Sequence, residues 1–368
     1  MFAILGRPFD KTMSTTLERI DALVAHAPQL AAWTGPFDRE SLLEWLRMEL
    51  GDDRILDDWV KRGLVISKAV VFSPVLHVVS GNTLHAAFQS VLRGLLVGCV
   101  NRVKLPSAGL PEFEQWVRKL PPILSELIEI SHSLPEEWLA CEAAVIFGGG
   151  DTIETFRGKL SPAVRRIEHG PKLGIAVVFE PTLEAAQRIA EDILRHDQRG
   201  CLSVQAVYVE GEATTIHAFG DMLAKSMTAY RERNPETSST LSDAGGVSNA
   251  REIARFLMAN GEPVRLWESK EATDWTIIYD GSPVLKAGPL NGFVRLHPLP
   301  SDLRALGDEV AFISGAAIHP FSQEHASKLD ALDIARICEA GKAQEPTIFW
   351  HHDGMSSLAS LVRWRDLG

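Results

Sequence analysis

Ala143–Phe156 reads AAVIFGGGDTIETF: five apolar residues, three glycines, then a polar stretch with helical character. A short apolar run closed by a glycine turn is the pattern of a strand covered on both faces, and the polar stretch beyond the turn is a helix start. The same alternation extends in both directions. Upstream, Val75–Val79 reads as a strand, Leu84–Leu96 has helical spacing, and Val100–Leu105 is a strand with Lys104 near its end. Pro111–Lys119 and Ile123–Ile130 are predicted helices. Downstream come a strand at Ile175–Phe179, a helix at Leu183–Leu194, a strand at Val204–Val209 and a long helix over Ala213–Arg233. Further strands are predicted at Val264–Trp267, Trp275–Tyr279, Phe293–Leu296 and Val310–Ser314. Strands alternating with helices at this spacing predict an α/β fold with a mostly parallel sheet. The first sixty residues read as amphipathic helices lying against that body. Asn234–Asn249, rich in Ser, Thr, Gly and Asp, is predicted to be a mobile surface loop, and the tail is predicted to end in a short helix.

A chain of 368 residues is long enough for two domains, and 45% hydrophobic with 23% charged residues is the balance of a globular protein. The net charge of −11 gives no general attraction to phosphate backbones, so nucleic acid is not an expected partner. No apolar stretch approaches the ~20 residues of a membrane-spanning helix. The start, MFAILGRPFDKTM, lacks the basic segment and cleavage site of a secretory leader. Four cysteines without a CxxC pair imply reduced thiols and a cytoplasmic location.

Cys201, in a short Gly-Cys-Leu-Ser segment between a helix and a strand, is the cysteine best placed to face a cleft. Its alternative is an inert core thiol, the reading given to Cys99, Cys141 and Cys338, the last within a predicted helix over Ile334–Glu339. Asn82 follows a strand in Ser80-Gly81-Asn82; its amide could donate to an oxyanion or cap the following helix. Lys104 ends a strand, where ligands gather in open α/β sheets. Gly148, Gly149 and Gly150 could bring backbone amides to a diphosphate, although Asp151 would repel one and also suits a helix cap. His351, His352 and Asp353 lack metal-site spacing, and no metal is expected. GxSxG and P-loop motifs are absent from the sequence.

In combination these segments resemble the acyl-CoA reductases of the bacterial luminescence (LuxC) type, a branch of the aldehyde dehydrogenase superfamily. The resemblance rests on SGN at Ser80–Asn82, VKLPS at Val103–Ser107, IFGGGDT at Ile146–Thr152, EHGPK at Glu168–Lys172, GCLS at Gly200–Ser203 and WHHDG at Trp350–Gly354. It implies an aldehyde-dehydrogenase-like fold with a Rossmann-type nucleotide-binding domain and an α/β catalytic domain. The expected division is an N-terminal helical segment over 1–68, a nucleotide domain over 69–172, a catalytic domain over 173–345, and a C-terminal segment over 346–368 returning to the active site. Cys201 matches the nucleophile that takes an acyl group from a thioester, and Asn82 the oxyanion-hole amide. Glu168 matches the superfamily glutamate that activates water or relays protons, and Lys172 the lysine beyond it. Lys104 matches the residue holding the adenosine ribose. Ser107 stands where NAD-preferring relatives carry a glutamate, which favours NADPH. Gly148, Gly149 and Gly150 fall on the turn near the diphosphate. Trp350, His351, His352 and Asp353 are expected to close over the acyl site. The superfamily's Gly-Ser-Thr turn is replaced by glycines, and its Glu-x-Phe-Gly-Pro segment is missing near Arg295.

The expected activity is NADPH-dependent reduction of a long-chain fatty acyl-CoA or other acyl thioester to the aldehyde. Relatives also suggest an acyl-protein synthetase partner and a homo-oligomer. Two alternatives stand beside it: a cysteine-dependent acyltransferase or thioesterase without hydride transfer, and a non-catalytic subunit of an acyl-activating complex.

Overall fold

The computed structural model describes residues 14–82, 84–235, 241–270 and 272–368. The chain forms two units: one runs up to His169 and takes in Ser356–Gly368, the other is Gly170–Met355.

The first unit opens with helices α1 (Thr16–Val24), α2 (Ala27–Thr34) and α3 (Arg39–Leu50). Strands β1 (Val60–Arg62) and β2 (Val65–Val71) form an antiparallel pair. Then come β3 (Val75–Val78), α4 (His85–Val97), β4 (Asn101–Lys104), α5 (Pro111–Lys119), α6 (Pro122–Ser125), β5 (Ile128–Ser131), β6 (Ala143–Phe147), α7 (Gly150–Lys159) and β7 (Arg165–His169). The five strands from β3 onward pair in parallel in the order β5-β4-β3-β6-β7. All five residues of β6 are buried, as its uninterrupted apolar run requires of a central parallel strand. Helix α4 is almost wholly buried, and Arg19 on α1 donates to the carbonyls of Leu96 and Val97 at its C-terminal end, where a cation complements the helix dipole.

The second unit contains β8 (Leu173–Val178), α8 (Leu183–Leu194), β9 (Val204–Val209), α9 (Ala213–Arg233), α10 (Leu241–Ala259), β10 (Val264–Glu268), β11 (Thr276–Asp280), β12 (Phe293–Pro298), β13 (Ile313–His319), α11 (Gln323–Ser327) and β14 (Arg336–Glu339). Its sheet order is β10-β11-β12-β9-β8-β13-β14, parallel except for β10. Ile216, Phe219, Leu223 and Met227 of α9 pack with Ala186, Ile189 and Ile193 of α8 over this sheet. Each parallel sheet is thus doubly wound, with its first strand central and later strands added to both sides.

Several expectations are corrected. The predicted helix at Ile123–Ile130 stops at Ser125, and Ile128–Ser131 is instead an edge strand paired with β4. Cys338 lies on edge strand β14 rather than a helix, because four residues pairing with β13 outweigh a short helical period. Val310 lies in a 3-10 turn over Asp308–Phe312, and β13 begins at Ile313. The polar stretch after Asn234 becomes helix α10 from Leu241, anchored by buried Val247, Arg251 and Ala254 on one face. The part of that stretch at 236–240, like the N-terminal thirteen residues, lies outside the described ones. The tail ends in strand β15 (Val362–Leu367), antiparallel to β2, instead of a helix. Among the described residues, no helix is long and apolar enough to cross a membrane.

Candidate active site

In the first unit, winding reverses between β3 and β6, and a doubly wound sheet binds ligands beyond the carboxyl ends of the strands at such a point. Two of the segments singled out in the sequence meet that position: Ser80-Gly81-Asn82 follows β3, and Gly148-Gly149-Gly150 follows β6. Lys104 ends the neighbouring β4, half-buried, and Ser107 is exposed in the turn beyond it. Asn82 is exposed and does not cap α4, whose N-cap is Leu84. Nor does Asp151 cap α7; the cap is Gly149, which offers no side chain, so the first amides of α7 receive no side-chain acceptor from it. A Cβ built on Gly149 or Gly150 would have nothing within 4 Å, whereas one on Gly148 would lie 2.7 Å from Thr152 Cβ. Open backbone amides at a helix start beside a switch point fit a dinucleotide diphosphate.

Glu168, on β7, is engaged on both oxygens. Arg157 Nε donates to Oε1 and Oε2 at 3.0 Å each, and Arg157 Nη2 reaches Oε2 at 2.5 Å. The hydrogen bond from Arg157 lowers the pKa of Glu168 against the smaller raising effect of burial. Such a carboxylate ties α7 to β7 and lacks the open oxygen of a free base. Next to it, buried His169 stacks on Phe147 with ring centres 4.6 Å apart.

In the second unit, Cys201 sits between a 3-10 turn (Arg195–Gln198) and β9. This turn carries three successive non-glycine residues in the left-handed region, His196 (φ 54°), Asp197 (φ 51°) and Gln198 (φ 60°). Such backbone persists only where surroundings over-determine it. Here they do. Asp197 pairs with Arg231 of α9 at 2.7 Å, both side chains nearly buried, and Arg231 Nε also donates to the Asp274 carbonyl. Gln198 donates to the carbonyls of Val204 and Phe293 at 2.8 and 2.7 Å and accepts from Phe293 N at 3.1 Å. Beyond the cysteine, Ser203 N closes a turn on the Gly200 carbonyl at 3.0 Å, and Ser203 Oγ accepts from Gln344 Nε2 at 2.5 Å. Cys201 keeps solvent-accessible surface, unlike buried Cys99 and Cys141. Although the residue is exposed, its sulfur is packed among protein atoms, and that desolvation first, with the charge of Asp353 second, pushes the thiol up to about 12.

Trp350 and His352 are buried and stacked at 4.4 Å. Asp353 adopts φ 52°, and one carboxylate oxygen lies 3.9 Å from His352 Nε2. His351 is exposed. Asp353 thus acts electrostatically on Cys201, the nucleophile candidate some 150 residues earlier in the sequence. Lys172 precedes β8, half-buried.

The supports Gln198, Gln344, Arg231 and Asp197 escaped the sequence reading. Gln198 lies three residues before the cysteine, and a buried glutamine beside a catalytic candidate is the kind of signal that could have marked it. Gln344, Arg231 and Asp197 are polar residues that become recognisable only through contacts distant in sequence.

Comparison with known proteins bears on the family and the fold. A family model described as acyl-CoA reductase (LuxC) matches residues 3–364. The chain is 26% identical over 373 residues to the long-chain acyl-protein thioester reductase of Vibrio harveyi, covering 93% of this chain and 75% of that protein. It is 25% identical over 351 residues to long-chain acyl-protein thioester reductase 2 of Photobacterium leiognathi, covering 89% and 70%. Lactaldehyde dehydrogenase from Escherichia coli is similar in structure, with a TM-score of 0.65 at 11% identity over 96% of this chain and 87% of that one. The NAD-dependent benzaldehyde dehydrogenase of Corynebacterium glutamicum gives 0.61 at 14% identity over 96% and 86%. At these identities the solved structures establish the fold, which is that of the aldehyde dehydrogenases.

Proposed function

The chain belongs to the acyl-CoA reductase (LuxC) family, and from that premise we propose that it reduces a long-chain acyl-CoA to the fatty aldehyde with NADPH, through an acyl thioester on Cys201. The observation that carries this reading is the Cys201 loop: an exposed cysteine residue on a backbone turn braced from both sides, in a chain whose buried Cys99 and Cys141 have no such setting.

Cys201 sulfur attacks the thioester carbonyl, and the proton of the thiol ends on the departing CoA sulfur. Exchange between two thioesters is nearly balanced in energy, so the protein's task is to hold geometry and stabilise the oxyanion. The Cys201 backbone N–H is one donor and, on the family resemblance, Asn82 supplies the other; where such a donor has been removed from an enzyme the loss is roughly 3–4 kcal/mol. A bound nicotinamide supplies the hydride that reduces the acyl group. Cys201 then leaves as thiolate as the carbonyl re-forms, and takes up a proton. Glu168, paired with Arg157, is kept from positioning a water, which suits an enzyme whose acyl intermediate must escape hydrolysis.

The β3–β6 switch point supports a dinucleotide site in which the α7 amides face the diphosphate and Lys104 the ribose. Ser107 offers no carboxylate to repel a 2′-phosphate, which favours NADPH over NADH. Trp350 and the adjoining His351-His352-Asp353 segment are proposed to border the acyl chain.

The test is purified protein with palmitoyl-CoA and NADPH, following NADPH absorbance and released CoA together. Equal loss of NADPH and gain of CoA supports the reading. CoA release without NADPH loss selects the acyltransferase or thioesterase alternative, and neither signal selects a non-catalytic subunit. Full activity in Cys201→Ala would overturn the acyl-enzyme.

A further inference from the structure

Helix α8 and its C-cap present three residues one helical turn apart to the segment Glu339–Glu345, which begins on the last residue of edge strand β14. Arg188 pairs with Glu339. Asp192, 1% exposed, accepts from Gly341 N at 2.6 Å and Ala343 N at 2.9 Å. Arg195, at the end of the helix, pairs with Glu345 at 2.5 Å. From β14, Arg336 donates to the carbonyls of Lys342, Ala343 and Glu345 at 2.8, 2.8 and 3.3 Å. The segment is therefore gripped by its amides through Asp192 and by its carbonyls through Arg336. Within it lies Gln344, the residue whose side chain reaches the Cys201 loop. Its Nε2 donates to Ser203 Oγ, and its Oε1 lies so close to Gly200 that a Cβ there would approach it to 2.5 Å. Gly200 and Ser203 flank the cysteine, and their own backbone bond closes the turn around it.

We propose that Gln344 is a positioning residue for the Cys201 nucleophile, and that Asp192 acts through it by fixing the segment that carries it. The inference rests on the acyl-enzyme reading above and adds residues distant in sequence from the cysteine. Buried hydrogen-bonding groups with this many fixed partners are costly to leave half satisfied, so the segment has one arrangement and transmits it to the loop. A brace of this kind changes how well the sulfur is aimed and leaves substrate affinity alone.

The experiment compares wild type, Gln344→Ala, Gln344→Glu and Asp192→Asn at pH 8, above the Asp192 pKa, which desolvation pushes up to about 7. Three quantities are measured: kcat and KM for CoA release from palmitoyl-CoA, the rate of Cys201 carboxamidomethylation by iodoacetamide read by peptide mass spectrometry, and NADPH binding by fluorescence. Gln344→Ala is expected to lower kcat ten- to a hundredfold and alter the alkylation rate at least threefold, with KM and NADPH affinity within twofold. Gln344→Glu, whose carboxylate can accept from the Ser203 hydroxyl, restores most of the loss. Asp192→Asn moves the same way by a smaller factor. Wild-type kcat and alkylation in both Gln344→Ala and Asp192→Asn would overturn the proposal, as would a raised KM at unchanged kcat, which would make Gln344 a substrate contact. Should Asp192→Asn fail to fold, the two Gln344 variants decide. Alkylation needs neither acyl-CoA nor NADPH, so a wild-type protein that releases no CoA refutes the reductase reading while the alkylation series still judges the brace.

Discussion

Replacing Gly174 with alanine strikes the nucleophile loop from a strand that has no assigned contact with substrate. Gly174 is the second residue of β8 and lies beside two register shifts, one between Gly174 and Ile175 against β9 and one between Ile313 and Gly315 against β13. Irregularities of this kind re-aim the chain next to active sites. A Cβ on Gly174 would stand 2.6 Å from the Ser203 carbonyl oxygen and 2.8 Å from that of Leu202. Both are backbone atoms one and two residues past Cys201, so no side-chain rotation relieves the contact. Because Cβ contacts below 3.0 Å essentially never occur, the loop must retreat by at least about 0.4 Å. Overpacking of this type costs roughly 1–3 kcal/mol. In a unit of this size that lowers the melting temperature by about 2–12 °C. A misplacement of about 1 Å can cost roughly a hundredfold in rate, so a shift of about half that predicts acylation slowed about tenfold. The assay is single-turnover CoA release with palmitoyl-CoA, beside a thermal melt and NADPH titration. Gly158→Ala is the control, since a Cβ at that helical glycine meets nothing within 4 Å. Gly174→Ala with the melting temperature and acylation rate of the wild type would refute the reasoning that this strand sets the loop.

Asp353→Asn removes the charge that, after desolvation, raises the Cys201 thiol; alkylation by iodoacetamide at fixed pH should speed up, and a slower reaction would contradict the electrostatic reading. With the thiol near 12, the thiolate fraction at pH 7 is roughly one part in 10⁵, so alkylation of the free enzyme should rise about tenfold per pH unit between pH 7 and 9; a plateau below pH 9 would show a thiol with a lower pKa. Asp197→Asn leaves Arg231 without its buried anion and should destabilise the second unit by about 3–5 kcal/mol, read from urea unfolding; a loss below about 1 kcal/mol would show that the pair does not hold the left-handed turn. Ser107→Glu should shift preference from NADPH toward NADH, measured as the ratio of kcat/KM values; an unchanged ratio would remove Ser107 from cofactor selection.

The sheets were legible in the sequence because their strands are buried on both faces: Ala143–Phe147, Ile175–Phe179 and Val204–Val209 are mostly apolar, and glycine or proline marks several of their ends. The helix Ala213–Arg233 was legible from its period, with Ile216, Phe219, Leu223 and Met227 turned inward. Not every edge strand was: Val264–Trp267 was read correctly, but others were missed. Ile128–Ser131 and Arg336–Glu339 are half-exposed and four residues long, so their pairing partners decide their state and local pattern does not. Helix α10 was hidden by Gly245-Gly246 near its start, where intrinsic propensity argues against a helix that tertiary packing of Val247, Arg251 and Ala254 then stabilises. At the site, Cys201 could be found because its residue type carries chemistry. The residues that brace it could not, since Arg231 and Gln344 acquire meaning only through contacts 34 and 141 positions away in sequence.

The central claim is a thioester on Cys201, and the most direct measurement is the mass of the peptide that carries it. Protein incubated with palmitoyl-CoA without nucleotide, quenched in acid and digested, should show one palmitoyl adduct on the Cys201 peptide, and the adduct should vanish with aldehyde release when NADPH is added before the quench. An adduct on Cys338, or none on any cysteine while CoA is released, would contradict the account.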